Sequence, residues 1–310
     1  MSGGIDEISE KGCKYMSIQD RNAGNAGDLL KHALLLDLLD RLPVNPDQDW
    51  SYTETHAGAG LFSTPLAETI YVGAQIAESA GLEGQVYADA LLRWRRDWLA
   101  GNLGFSRESE EESDPRHVPY PGSPLLAWRS GSINGRFQLA EVEEASRERL
   151  NRALGGEVAI EASSFEDALD RLFAPDRLIA LIDPFYYESQ ARDGEDGRLG
   201  RGHLVEITGR LSSKDAVLLI FSSNLPKNLR PDGAAGERER ARGTWRSLRD
   251  DLRELSPPAL RGFLATGTSH AVLAAGWGAG EALVDGLPDE SDWSRSWLAA
   301  PPVGLNVTEV

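Results

Sequence analysis

Six leucines, Leu30, Leu34, Leu35, Leu38, Leu39 and Leu42, recur at helical spacing behind Asp28, and Pro43 and Pro46 close the run. That spacing predicts a helix with one apolar face, and an acid in its first turn suits the positive helix end. The run WSYTET at 50–55 is rich in strand formers and leads directly into Ala57-Gly58-Ala59-Gly60. Residues 61–104 read as mostly helical, with Trp94 and Trp98 one turn apart, and 105–118 read as a polar, acidic loop. A strand is predicted at 136–141, ending in Glu141, then a helix at 143–154, a strand at 157–162 and a helix at 165–173. Residues 177–183 form a continuous apolar run closed by Asp183, the pattern of a strand covered on both faces. A Gly- and charge-rich loop follows at 187–202, then an apolar strand at 216–221 and an Arg-rich helix at 234–255. Strands near 259–266 and 270–275 close the series. Strands alternating with helices predict an α/β fold with a mostly parallel sheet.

The length, 310 residues, suits one large α/β domain with an insertion or two small domains, and the composition, 41% hydrophobic and 26% charged, is that of a soluble globular protein. The lone Cys13 excludes an intrachain disulfide. Residues 1–20 carry no apolar segment with basic flanks, and no run reaches the roughly 18 apolar residues of a membrane span. A cytoplasmic protein is therefore expected. The five histidines, His32, His56, His117, His203 and His270, show no paired ligand spacing, so no metal is expected. Net charge is −17, with 27 Arg and only five Lys. A nucleic-acid binder should carry a basic footprint. Two readings of the acidity stand: a salt-adapted or GC-rich source, or a partner other than RNA. Arg93, Arg95 and Arg96 in one helix, and Arg238, Arg240, Arg242, Arg246, Arg249 and Arg253 in another, offer local cations. They read equally as surface arginines interleaved with acids.

Three features point to chemistry. Glycines directly after a strand, at Gly58 and Gly60, let backbone approach a ligand at the carboxyl end of a sheet. Such turns are also common without a ligand. An acid ending a strand, Glu141, can accept from ribose hydroxyls, or simply cap the next helix. Asp183-Pro184-Phe185-Tyr186 ends the most apolar strand. There the Asp183 carboxylate and the Pro184 carbonyl can accept from a substrate amine, and Tyr186 can stack on a base. A turn with a buried tyrosine is the plain alternative. Gly276-Trp277-Gly278-Ala279-Gly280 reads as an edge turn rather than a phosphate loop, because no helix clearly follows it.

The run from Ala23 to His32 (AGNAGDLLKH) is similar to the AGNxxDxLKH signature of the RlmJ family, which methylates the exocyclic amine of an adenine in 23S ribosomal RNA. Glu54 to Gly60 resembles that family's DTHAGAG block. Tyr120 to Pro124 matches its YPGSP block, and Leu181 to Tyr186 resembles its IDPPY block. The four blocks stand in family order, and the similarity spans about residues 21–280. The resemblance implies a Rossmann-like S-adenosylmethionine-dependent methyltransferase with helices on both faces of the sheet. It also implies an N-terminal arm at 1–20, and a domain at 21–310 with a small helical insertion at about 61–119 that helps bind RNA. It places His32, His56, Ser123, Glu141, Ser163, Ser164 and Asp183 at the cofactor, with Glu141 on the ribose. It gives Asp183 and Lys31 catalytic roles, and Pro184 and Tyr186 the substrate. Protein-free 23S rRNA is the implied partner, for a monomer.

The departures are specific. Phe185 stands where the family has proline, and Ser163-Ser164 where it has Asp-Gly. Ser17 and Gln19 stand where the family's arm has Tyr and His. Two rival readings follow: the same fold acting on DNA or a small amine, and a cofactor-binding protein without catalysis. No G-x-G-x-x-G opens a helix, which argues against a dehydrogenase.

Overall fold

The computed structural model describes residues 23–43, 49–82, 86–103, 118–162, 164–184, 199–222, 245–265, 268 and 270–309. Its centre is an eight-stranded sheet built from β1 (Ser51–Glu54), β4 (Phe137–Ala140), β5 (Ala159–Glu161), β6 (Arg177–Ile182), β7 (Asp215–Ser222), β8 (Ala259–Ala265), β9 (Ala271–Trp277) and β10 (Val307–Glu309). The order across the sheet is β10-β8-β9-β7-β6-β1-β4-β5. From β5 to β7 all neighbours are parallel, while β9 runs antiparallel to both β7 and β8. This is a Rossmann-like α/β sheet, and its parallel half is what the alternation of strands and helices predicts.

Alternation along the strands divides the core. On β6, Leu178, Ala180 and Ile182 face one side with Leu204, Ile207 and Leu211 of α7 (Arg201–Leu211). Ile179 and Leu181 face the other side, with the leucines of α1 (Ala26–Asp40). Both faces are covered, which is why β6 and β7 read as unbroken apolar runs. Helix α6 (Phe165–Leu172) and the helical stretch 245–254 share the α7 side.

The segment after Gly60 is not helical from its start. Strand β2 (Leu61–Phe62) pairs antiparallel with β3 (Tyr120–Pro121), and the Gly122 N–H donates to Gly60 O at 2.7 Å. The segment between β2 and β3 is thus closed at both ends beside the glycine turn. Its described part is α2 (Ala67–Ala80) and α3 (Val86–Leu99), which pack on each other through buried Tyr71, Trp94 and Trp98. Helix α4 (Ser123–Ser130) starts directly after β3, and α5 (Glu144–Ala153) joins β4 to β5.

Two further differences lie near the C-terminus. A helix, α8 (Ala279–Asp285), does follow Gly276–Gly280. The seven-residue element gives a weak periodic signal, so its pattern was not legible. It starts at the amino-terminal edge of the parallel strands, away from Asp183, and its Ala279 N–H donates to the Asp215 carboxylate at 2.9 Å. Then α9 (Glu290–Arg295) leads to β10, which adds an edge strand beyond the two predicted ones. Arg261 of β8 holds β10 through both carboxylate oxygens of Glu309, each at 2.7 Å.

Helix α8 lies against the β7 backbone because Gly280 has no side chain: a Cβ there would come within 1.9 Å of Ala216 O. Gly280→Ala is expected to destabilise the fold by at least about 2 kcal/mol in urea unfolding. A change under about 0.5 kcal/mol would contradict this packing.

Candidate functional site

The parallel strands set one level. Glu54 pairs in register with Leu181 on β6 and Leu139 on β4. Asp183 and Glu141 each stand two residues past that level. The strand order also reverses at β1, where the chain moves to β4 on one side and β6 on the other. Carboxylates from three adjacent strands therefore meet at the topological switch point, where α/β sheets bind ligands.

Helix α1 closes this crevice. Asn25 caps it, accepting from the N–H groups of Gly27 (2.7 Å) and Asp28 (3.2 Å). Its first turn lies against Phe221 and His270, whose rings stack at 5.8 Å. A Cβ on Gly27 would meet the two rings at 2.6 and 2.7 Å, so only glycine allows this approach. One turn on, Lys31 is 5% exposed. Its ammonium lies 2.5 Å from Asp183 Oδ2, 3.1 Å from Asp28 Oδ1 and 5.1 Å from the centre of the Phe221 ring. Burial disfavours the charge, but Asp183, Asp28 and Glu54 together outweigh it and hold Lys31 above the usual lysine range.

Glu54 is 1% exposed and accepts from Ser123 Oγ at 2.6 Å and from Tyr52 OH at 2.7 Å. Burial pushes its carboxyl up to about 7, against the pull of Lys31 and the two hydroxyls. Glu141 accepts from the backbone of Gly58 at 2.7 Å and of Glu143 at 2.8 Å. It thereby fastens the glycine turn to the end of β4.

His32, next to Lys31, is 2% exposed and lies 2.6 Å from Tyr120 OH through Nδ1. Tyr120 OH is also 2.6 Å from Tyr87 OH, on the insertion helix α3. Burial, and then the Lys31 charge, hold the imidazole well below its ordinary pKa.

The structure thus brings Lys31, His32, Ser123, Glu141 and Asp183 to one edge, with Pro184 buried beside Asp183. His56 is half-buried, with Nδ1 2.7 Å from Thr55 Oγ1. Ser164 stands just past β5, and its hydroxyl caps α6 by accepting from Asp167 N at 3.3 Å. Ser163, Phe185, Tyr186 and the arm at 1–20 lie outside the described residues. Sequence reasoning assigned no role to Glu54, Asp28, Tyr120, Tyr87, Phe221 or His270. Asp28 had a signal, its i,i+3 spacing from Lys31. The others meet only through tertiary packing.

Among the described residues no cluster of three or more His, Cys, Asp and Glu is placed to hold a metal, and no helix is long and apolar enough to cross a membrane. A separate cavity of about 270 Å³ lies between α1, α3 and α4, lined by Leu36, Trp94, Leu126 and Arg129 among others. Several described arginines are matched by acids: Arg201 binds Asp251 and Glu254, and Arg249 and Arg253 flank Asp250.

No family model and no curated protein matches the chain. Solved structures do. A Legionella pneumophila protein with the family designation DUF519 is 16% identical, with a TM-score of 0.59 over 93% of this chain and 97% of that one. The human METTL16 catalytic domain in complex with an RNA hairpin is 10% identical, with a TM-score of 0.38 over 81% of this chain and 69% of that one. A geranyl diphosphate methyltransferase in complex with its substrate and sinefungin is 12% identical, with a TM-score of 0.36 over 80% and 78%. At 16% identity the likeness to the first is one of fold, and it extends across nearly the whole of both chains.

Glu54 yields a pH test. Its folded pKa is raised from 4.5 to about 7, so the folded state keeps a proton that the unfolded state releases. The resulting penalty is absent below about pH 4.5, grows as pH rises, and is complete above about pH 7. Glu54→Gln removes it, since a hydroxyl of Ser123 or Tyr52 can turn to accept from the amide. The variant is expected to gain roughly 2–3 kcal/mol relative to wild type between pH 5 and pH 8 in denaturant titrations. A stability difference that does not change with pH would contradict the assignment.

Proposed function

We propose that the chain is an S-adenosylmethionine-dependent methyltransferase acting on the exocyclic amine of an adenine in 23S rRNA. The observation that carries the reading is the Lys31–Asp183 pair, with Pro184, at the carboxyl end of β6 and one strand from β1. The four sequence blocks similar to the RlmJ family support it, since three of them converge on this edge with the fourth, Tyr120–Pro124, clamped beside Gly60.

The residues present fit the cofactor. Glu141 is fixed by backbone donors at the end of β4, where a ribose acceptor belongs. His32 Nε2 is buried with no partner among the described residues, so a ligand atom can satisfy it. Bound S-adenosylmethionine supplies an electrophilic methyl group on a sulfonium, which takes the amine lone pair as the carbon–sulfur bond breaks.

The chain's own part is positioning and electrostatics. Lys31 holds Asp183 through Oδ2, and Oδ1 has no partner among the described residues. In this reading Oδ1 and the Pro184 carbonyl accept the two amine hydrogens and direct the nitrogen lone pair. An adenine amine is a weak nucleophile because its lone pair is shared with the ring. Holding both hydrogens favours the tetrahedral nitrogen that attack requires. Asp183 need not be a strong base, because the proton becomes acidic only as the new bond forms.

A second reading keeps the chemistry and changes the substrate to DNA or a small amine. The arginines matched by acids, together with a net charge of −17, favour keeping it in the test. Labelled S-adenosylmethionine is offered to protein-free 23S RNA and to duplex DNA, with Asp183→Ala as control. Label is expected on an RNA adenine amine and should fall at least about a hundredfold in the variant, with the fold checked by circular dichroism. Label on DNA alone would move the assignment to the second reading. Undiminished transfer by Asp183→Ala would remove Asp183 from the mechanism.

A further inference from the structure

The cavity between α1, α3 and α4 has a floor and a mouth of different chemistry. Leu36, Trp94, Leu125 and Leu126 line the floor of its roughly 270 Å³, and all four are buried. The one polar atom among those side chains is already paired, because Trp94 Nε1 donates to Pro119 O at 3.0 Å. These floor side chains therefore offer apolar contact and no free hydrogen-bonding group. The mouth carries two cations and two anions, Arg93 and Arg129 with Asp40 and Asp97.

The four charges are not joined to one another. Arg41 pairs with Asp37, and Arg210 with Glu206, at i,i+4 spacing. Arg93 and Asp97 have the same spacing on α3 and form no ion pair. Arg93, Asp40 and Asp97 have no side-chain partner among the described residues. Arg129 Nη2 donates to Leu103 O at 3.0 Å, which anchors the guanidinium and leaves its other donors without a partner among the described residues. The cavity stands apart from the crevice. Asp40 lies nine residues beyond Lys31 on α1, roughly 13 Å along the helix.

We propose that this cavity binds a free α-amino acid with a large apolar side chain. A ligand with charge of one sign only would meet a like charge at the mouth. A nucleobase would bury its polar edge against a floor that has nothing to pair with it. A free amino acid matches both parts. Its carboxylate accepts charge-assisted hydrogen bonds from Arg93 and Arg129, and its ammonium donates to Asp40 and Asp97. Its side chain leaves water for the leucines and Trp94. The volume suits one such small molecule, since sites for drug-sized ligands begin at about 300 Å³. The site is independent of the methyl-transfer reading.

Calorimetry of the full chain with L-leucine, L-methionine and L-phenylalanine tests the site. At least one of them is expected to bind with a Kd below about 1 mM. The amide of that amino acid lacks the carboxylate, and its N-acetyl derivative lacks the ammonium. Each is expected to bind at least about tenfold more weakly, as is glycine, which keeps the head and lacks the side chain. Arg93→Ala and Asp97→Ala, on the outer part of α3, are each expected to weaken binding at least about fivefold, with an unchanged circular dichroism spectrum. No binding of any of the three amino acids up to about 10 mM would overturn the proposal. So would equal binding of the blocked derivatives, or undiminished binding by either folded variant, because the molecule would then sit elsewhere.

Discussion

The architecture of the site depends on one partly buried ion pair, Lys31 with Asp183. An ammonium with only 5% exposure is tolerated because two carboxylates face it. The pair ties α1 to the carboxyl end of β6, and Asp28 gives the same ammonium a second carboxylate from within the helix. Everything else on the helix follows from that position. Gly27 is pressed onto Phe221 and His270, and His32 is brought under Tyr120. The same pair commits one oxygen of Asp183, and the other has no partner among the described residues.

A second constraint acts at the other end of the site. The β2–β3 ladder closes the insertion directly beside the glycine turn. It delivers Tyr120 and Ser123 to the crevice from 60 and 63 residues downstream of Gly60, and Ser123 then reaches Glu54. The insertion is therefore more than an appendage, because α3 contributes Tyr87 to the hydrogen-bonded chain that ends on His32. Charge is handled locally. The chain is strongly acidic overall, but its crevice is built around a buried cation, and several of its described surface arginines sit beside acids.

What the sequence made legible was whatever burial writes into a short run of residues. Leu178 to Ile182 and Ala216 to Phe221 read as central strands because both faces are covered, and the acids after β4 and β6 stood out against apolar runs. The α1 leucines were visible for the same reason. Contacts formed across the fold were not visible. Glu54 read as part of a turn block, and only the structure shows it buried under Ser123 and Tyr52. Helix α8 and strand β10 were missed because seven and three residues are too few for periodicity to register. The helix cap made by Ser164, which the resemblance implies at the cofactor, is likewise a contact that only the structure shows.

The central claim is that the edge shared by β4, β1 and β6 holds an adenosine-containing cofactor within reach of Asp183. A crystal structure with S-adenosylhomocysteine tests it most directly. The account predicts the ribose hydroxyls on the Glu141 carboxylate and the sulfur on the Asp183 side of the crevice. Ligand bound instead in the cavity between α1, α3 and α4, with the edge of the sheet empty, would contradict it.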